Sequence, residues 1–277
     1  MRIARTVAEV RALRPSLGRV GLVPTMGALH DGHMSLVALA AARCEAVAAS
    51  IFVNPTQFAP HEDLATYPRP IEADLAKLEA ADVALVFLPP PEEVYPRGFD
   101  SRIEVGAIAN RLEGAVRPGH FSGVATVIAK LFNIVAPDIA FFGQKDVQQT
   151  RVIRQMVRDL DMPVEIVIGP TIREADGLAL SSRNIYLTPD QRIEAGALSR
   201  GLFEAEAAFA SGTRDAARLR QIVETAIAPT AGVIDYISVA DPDTLEELEC
   251  VGADGAVMSL AVRFGTTRLL DNVILRS

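Results

Sequence analysis

Residues 20–37 read VGLVPTMGALHDGHMSLV. The apolar run from Val20 to Val23 predicts a buried strand, which Pro24 should end. Gly27 supplies a tight backbone, and an apolar helix is expected from His33 onward. Between them lies His30-Asp31-Gly32-His33. A helix start carries unpaired N–H groups and a partial positive charge, which suits an anion. Gly32 lets the backbone come close to a phosphate. Two histidines three apart add hydrogen-bond donors at the place where a pyrophosphate would leave.

Outward from this junction the pattern repeats. Thr6 with Glu9 reads as a capping box opening a short helix that ends near Gly18. Strands are expected over 46–53, 83–88, 139–142 and 164–168, and helices over 33–44, 71–81, 123–135 and 146–160. Alternating strand and helix predict an α/β fold with a doubly wound parallel, Rossmann-like sheet. The texture changes after about residue 185. Thr188-Pro189 is a helix start, two alanine-rich helices follow over 189–211 and 213–228, and strands are expected over 233–239, 256–264 and 268–274. Gly265-Thr266-Thr267 suits a hairpin turn. We therefore expect an N-terminal domain over 1–184 and a smaller C-terminal α+β domain over 185–277.

The bulk properties narrow the function. The chain has 277 residues, 49% hydrophobic and 22% charged, which is globular rather than disordered. A net charge of -8 argues against a general affinity for nucleic acid, which needs a basic face. Cys44 and Cys250 lie far apart with no CxxC, which fits a reduced, cytoplasmic compartment. The first residues, MRIARTVAEVRAL, lack the apolar core of a signal peptide, and no long uncharged apolar window suggests a membrane span.

Familiar motifs are missing. Gly27 to Gly32 has the spacing of a P-loop, but His33-Met34 follows in place of Lys-Ser/Thr. There is no GxGxxG. Gly119-His120-Phe121-Ser122-Gly123 follows no strand, so a serine hydrolase elbow does not fit. No third ligand joins His30 and His33 at a metal-binding spacing, and no metal ligand is assigned. Three phosphate-binding pieces remain: His30-x-x-His33; Phe142-Gly143-Gln144-Lys145-Asp146, where Lys145 is a point charge; and Leu180-Ser181-Ser182-Arg183-Asn184, with two hydroxyls and a guanidinium. Singly, each has a bland reading: structural histidines, a solvated lysine, a polar linker. Together, at or just beyond the carboxyl ends of expected strands, they point to a nucleotide, because ligands of open α/β sheets bind there.

His30-Asp31-Gly32-His33 resembles the HxGH signature of the adenylyl-transferring superfamily shared with class I aminoacyl-tRNA synthetases, and Ser181-Ser182-Arg183 resembles its flexible second signature. PTMGALHDGH (24–33), IFVNPTQF (51–58), RPGHFSGVATV (117–127), FFGQKDVQQ (141–149) and READGLALSSRN (173–184) resemble the pantothenate synthetase family, in order and over nearly the whole chain. The resemblance implies ATP-dependent joining of pantoate and β-alanine through a pantoyl adenylate, with Mg²⁺, in a cytoplasmic homodimer. It implies ATP contacts from Met26, Gly27, Ala28, Leu29, His30, Asp31, Gly32 and His33, from Gly143, Gln144, Lys145 and Asp146, and from Ile172, Leu180, Ser181, Ser182 and Arg183. His33 would be the proton donor, aided by His30 and Lys145. Gln57 would contact pantoate and β-alanine, and Gln149 pantoate. Gln144 departs from the family, which commonly has Glu there.

The chemistry is coherent with those residue types. Adenylation needs charge neutralised on the α-phosphate and the departing pyrophosphate, and no covalent enzyme nucleophile. An acyl adenylate is prone to hydrolysis, so the C-terminal domain is expected to act as a lid. Gln57 and Gln149 can read pantoate hydroxyls without repelling its carboxylate. Gln148 is expected at the surface, His61 in solvent, and Asp74 on a helix surface rather than on a metal. Tyr67 and Asn54 are expected near the pocket; His120 and Arg117 suit either a structural or a site role. The rivals are an adenylyltransferase acting on a phosphate, which the FVNPTQF loop and the second domain disfavour, and an inactive nucleotide-binding module.

Overall fold

The computed structural model describes residues 1–59, 62 and 64–276, so His61 lies outside the described residues. By contact the chain forms two units, Met1–Gly143 with Gln149–Pro170, and Gln144–Gln148 with Thr171–Ser277. The strands are β1 (Arg2–Ala4), β2 (Val20–Thr25), β3 (Ala46–Ile51), β4 (Leu85–Phe87), β5 (Ile139–Gly143), β6 (Glu165–Gly169), β7 (Val233–Ala240), β8 (Ala256–Phe264) and β9 (Thr267–Leu275). The helices are α1 (Val7–Leu13), α2 (Asp31–Ala41), α3 (Ile71–Ala80), α4 (Pro91–Val94), α5 (Leu112–Val116), α6 (His120–Val135), α7 (Val147–Asp159), α8 (Pro189–Ala210) and α9 (Ala216–Ile227).

The first unit is built on a parallel sheet of order β1-β4-β3-β2-β5-β6. Its inner strands β2, β3, β4 and β5 are buried along most of their length, as parallel strands covered on both faces must be, while the edge strands β1 and β6 are more exposed. Leu22, Leu85, Phe87, Ile139 and Phe141 are wholly or almost wholly withdrawn from solvent, each worth about 1.5–3 kcal/mol of burial. The chain winds from β2 to β3 to β4 on one side, then crosses to β5 and β6 on the other. The switch point therefore lies between β2 and β5, whose carboxyl ends are Thr25 and Gly143. Ligand crevices of open α/β sheets form at such points.

Several expected boundaries move, for local reasons. β2 runs through Pro24 to Thr25. There β2 pairs with β3 (Pro24↔Ser50), and the described β5 pairing stops at Leu22. A proline is tolerated where one side of the ladder has ended. α2 starts at Asp31, with His30 as its N-cap, instead of at His33. α6 starts at His120 rather than Gly123, because Gly119 takes the left-handed conformation (φ 82°) that turns the chain into the helix. The expected capping box of Thr6 and Glu9 is present.

The second unit carries the antiparallel sheet β7-β8-β9 with α8 and α9. Thr188 caps α8 with Pro189 in its first turn, as the sequence indicates. Phe264 and Thr267 pair across a hairpin whose Gly265 has φ 58°. Its core gathers Leu198, Leu202, Phe209, Leu219, Met258 and Phe264. The contact boundary at Thr171 differs from the expected 184/185. Arg173 pairs with Asp271 of β9, Gly177 packs on Ser199 of α8, and Arg192 of α8 bonds Glu174 and Asp176, which ties residues 171–184 to this unit.

Candidate active site

On the first unit the HxGH segment follows β2. Gly27 (φ 84°) and Ala28 (φ 51°) both take left-handed conformations, so the loop doubles back before α2. Its backbone is satisfied almost entirely from within the fold. Gly27 N–H bonds Thr25 Oγ1 at 3.1 Å, and Ala28 and Leu29 N–H bond the two carboxylate oxygens of Asp74 at 2.8 Å each. Lys77, one turn along α3, donates to Leu29 O. Asp74 is 0% exposed, which corrects the expectation of a helix-surface acid. Its partners are far away in sequence and are backbone groups, so no spacing reveals them.

The two histidines cap the helix reciprocally. His30 Nδ1 accepts from Gly32 N–H at 3.2 Å, and His33 Nδ1 accepts from His30 N–H at 3.4 Å. The rings lie 4.1 Å apart. A ring whose Nδ1 accepts carries its proton on Nε2. Both imidazoles thereby become Nε2–H donors with fixed orientation. The Gly32 N–H, which looked available to a phosphate, is taken by His30. In this segment the N–H groups of Gly27, Ala28, Leu29, His30 and Gly32 are thus engaged by the protein's own side chains. Leu29 is buried at 3% exposure in the core and presents no side chain.

Gln57 sits in a short 3₁₀ turn after β3 that Asn54 caps. Asn54 is 1% exposed and fully engaged. Its Nδ2 donates to Gln57 Oε1 at 3.0 Å and Gly123 O at 3.1 Å, and its Oδ1 accepts from Tyr95 OH at 2.8 Å and Thr56 Oγ1 at 2.9 Å. Because Asn54 donates to Gln57 Oε1, the Gln57 amide nitrogen faces the other way, 3.1 Å from Met26 Sδ. α6 approaches this turn closely: a Cβ on Gly123 would stand 2.4 Å from Thr56 O. Only glycine permits that contact.

A cavity of about 550 Å³ opens beside Gln57, with Glu62, Tyr95, Arg117, His120 and Thr126 in its wall. Arg117 donates to both oxygens of Glu62, at 2.6 and 2.7 Å, and to Gln57 O at 3.3 Å. Arg117 Nη1 also lies 3.1 Å from His120 Nε2. Arginine only donates, so Nε2 accepts and the His120 proton sits on Nδ1, where it bonds Gln57 O at 2.8 Å. Burial pushes the Glu62 carboxyl up, but the hydrogen bonds and charge of Arg117 outweigh it and hold it below its ordinary range. Burial, then the Arg117 charge, push His120 from 6.5 down to about 4. Tyr67 is buried edge-on against Phe58 and is not part of this wall.

The depressed His120 pKa has a signed consequence. Between about pH 4 and 6.5 the unfolded chain binds a proton that the folded chain does not. Stability is thus complete above pH 6.5 and is lost as pH falls toward 4, by on the order of 3 kcal/mol from this group. Urea unfolding at pH 7 and 4.5 checks it. His120→Gln is expected to remove that share of the decline; an identical pH dependence in the variant refutes it.

Of the remaining candidates on the first unit, Gly143 ends β5 and Gln149 is half-buried on α7. On the second unit, Gln144, Lys145 and Asp146 form a 3₁₀ turn directly before α7. Lys145 Nζ lies 3.6 Å from Asp146. Gln148 is 3% exposed, not at the surface as expected; it falls on a buried face at the start of α7. Ile172 and Leu180 meet through a Leu180 N–H bond to Ile172 O at 2.9 Å, with Arg173 and Ala179 bridged between them. Ser181 then caps the turn Ser182–Tyr186, its hydroxyl accepting from Arg183 N–H at 3.3 Å. Among the described residues no three His, Cys, Asp or Glu converge as a metal cage, and no helix is long and apolar enough to cross a membrane.

The chain matches the family described as pantoate-beta-alanine ligase over residues 2–274. It is 56% identical over 276 residues to pantothenate synthetase of Herpetosiphon aurantiacus, covering 99% of this chain and 100% of that one. Against pantothenate synthetase of Chloroflexus aurantiacus it is 57% identical over 277 residues, covering 99% and 98%. Among solved structures, pantothenate synthetase of Thermus thermophilus superposes with a TM-score of 0.96 at 48% identity over 100% of both chains. Pantoate-beta-alanine ligase of Francisella tularensis, complexed with beta-gamma ATP and beta-alanine, gives 0.83 at 36% identity over 99% and 97%.

Proposed function

The chain belongs to the pantoate-beta-alanine ligase family, an enzyme family of pantothenate biosynthesis, and from that we propose a two-step, AMP-forming mechanism for it. The pantoate carboxylate attacks the α-phosphorus of ATP, the bond to pyrophosphate breaks, and pantoyl adenylate forms. The β-alanine amine then attacks the acyl carbon, AMP leaves, and the amine loses its proton. The observation that carries the reading is the reciprocal Nδ1 engagement of His30 and His33, which leaves each ring as an Nε2–H donor. Such donors stabilise charge that grows on phosphoryl oxygens. His33 serves as proton donor, with Lys145, Ser182 and Arg183 offsetting phosphate charge. Mg²⁺ would be carried on the ATP phosphates and would offset part of their charge, with no residue of this chain assigned as its ligand. The ATP complex of the Francisella tularensis relative supports the nucleotide assignment. A cytoplasmic homodimer is part of the same proposal.

AMP release tests it. With ATP and Mg²⁺, AMP is expected only when pantoate and β-alanine are both present, and pyrophosphate exchange with pantoate alone. AMP formation independent of pantoate would refute the reading.

Gln57 binds pantoate in this scheme through the amide nitrogen that Asn54 turns away from itself. Gln57→Ala is expected to raise the pantoate KM by about tenfold to a hundredfold, with the ATP KM within about twofold, the loss of one or two substrate hydrogen bonds. Steady-state kinetics in each substrate decide it. Equal effects on both substrates argue against the placement.

A further inference from the structure

Asn272 of β9 is 1% exposed, and both polar atoms of its side chain are committed to the turn that holds Lys145. Its Nδ2 donates to two consecutive carbonyls, Gln144 O at 3.0 Å and Lys145 O at 2.8 Å. Its Oδ1 accepts from Gln144 Nε2 at 3.4 Å. Asn272 thus adds one side-chain donor from β9 to two consecutive carbonyls of the turn, and so ties the direction of both peptide planes to the strand. That direction has a consequence. In a trans peptide the C=O of one residue and the N–H of the next point opposite ways. With the carbonyls of Gln144 and Lys145 drawn to Asn272, the N–H groups of Lys145 and Asp146 face away from it, at the entrance of α7. The same two peptide planes meet at the Lys145 Cα, so holding them also fixes the direction in which the Lys145 side chain leaves the turn.

The preceding residue braces the strand. Asp271 is 2% exposed and accepts from Arg173 at 2.5 and 2.9 Å, while Arg173 also reaches Asn272 O at 3.4 Å. Arg173 adjoins Ile172. Neighbouring residues of one strand thus anchor the Lys145 turn and the segment that begins at Ile172.

We propose that Asn272 is a positioning residue for ATP, acting through the Gln144–Lys145 backbone to aim the Lys145 turn at phosphate without touching the nucleotide itself. The inference rests on the ligase reading above. It is tested by titrating a non-hydrolysable ATP analogue into the full-length wild type, Asn272→Ala and Asn272→Asp, each also in a Lys145→Ala background, with pantoate KM and melting temperature alongside. Aspartate keeps the shape but offers no donor to the two carbonyls. Either change is expected to weaken analogue binding about tenfold to thirtyfold and to leave the pantoate KM within about twofold. In the Lys145→Ala background the further loss is expected to shrink to about threefold or less, because residues that act as one unit are not additive. The same loss in both backgrounds, unchanged analogue binding, or failure of both variants to fold at the assay temperature assigns Asn272 a purely structural role and overturns the proposal. Failure of the ligase reading shows separately, as a wild type that gives no pantoate-dependent pyrophosphate exchange.

Discussion

Lys145→Ala is expected to slow pantoate-dependent pyrophosphate exchange by about 100- to 1,000-fold, the usual cost of removing one preorganised group that faces developing transition-state charge. The fold should not register the change. The Lys145 side chain is 20% exposed, and its ion pair with Asp146 spans 3.6 Å. Partly exposed pairs of that kind contribute roughly 0–1 kcal/mol. The melting temperature should therefore hold while the chemistry fails. Lys145→Arg separates charge from geometry. It keeps the positive charge but spreads it over a planar fork, so it should restore only part of the rate. Exchange at the wild-type rate in Lys145→Ala, with unchanged melting, would remove Lys145 from the mechanism. The prediction also bears on Gln144, where the resemblance of the FFGQKD stretch leads one to expect glutamate. Its Nε2 donates to Asn272 Oδ1. A carboxylate has no donor to give at that place, so the amide–amide contact depends on glutamine here.

How much of this was legible in the sequence varies with the range of the interaction. Devices closed within four residues could be read directly: the capping box of Thr6 and Glu9, the Thr188-Pro189 start, and the His30-to-His33 junction. The alternation of apolar strands and helices gave the parallel sheet, because buried strands need no long-range information to be apolar. β1 escaped notice because three residues carry no period. Of the cavity wall, Gln57 was legible and Arg117 and His120 stood between a structural and a site role, whereas Glu62, Tyr95 and Thr126 escaped because no local pattern links them to the others. Polar residues were the hardest to place. Gln148 and Asp74 are both buried, although by composition alone each reads as surface. A charged side chain enters a core only when its partners are there, and those partners are set by the fold. The reach of segment 171–184 into the second unit has the same origin, since it depends on Arg173 meeting Asp271.

Asp74 supports the second large prediction, and it acts on stability and chemistry together. Its two oxygens accept the N–H groups of Ala28 and Leu29 at 2.8 Å each, within a loop whose Gly27 and Ala28 have φ of 84° and 51°. Left-handed backbone at a non-glycine residue is unfavourable by about 1–3 kcal/mol and persists only where the surroundings impose it. Asp74→Ala orphans two donors, the Leu29 N–H in a buried position and the Ala28 N–H in a part-buried one, at about 1–3 kcal/mol each. It also frees the loop from the constraint that holds Ala28 left-handed. For a chain of this size the total corresponds to a fall in melting temperature of roughly 5–15 °C. Since the same loop leads directly into His30, ATP use should suffer beyond what unfolding explains. At a temperature where the variant is fully folded, kcat/KM for ATP is expected to drop by about a hundredfold, as misplacing reacting groups by an ångström can do. Asp74→Asn gives the intermediate case, because one oxygen still accepts while the amide nitrogen opposes the second N–H. Melting curves and ATP kinetics on both variants decide the matter. A stability loss with wild-type ATP kinetics would mean that His30 and His33 are oriented by α2 alone, through their own reciprocal caps, and that the Asp74 clamp serves only the fold.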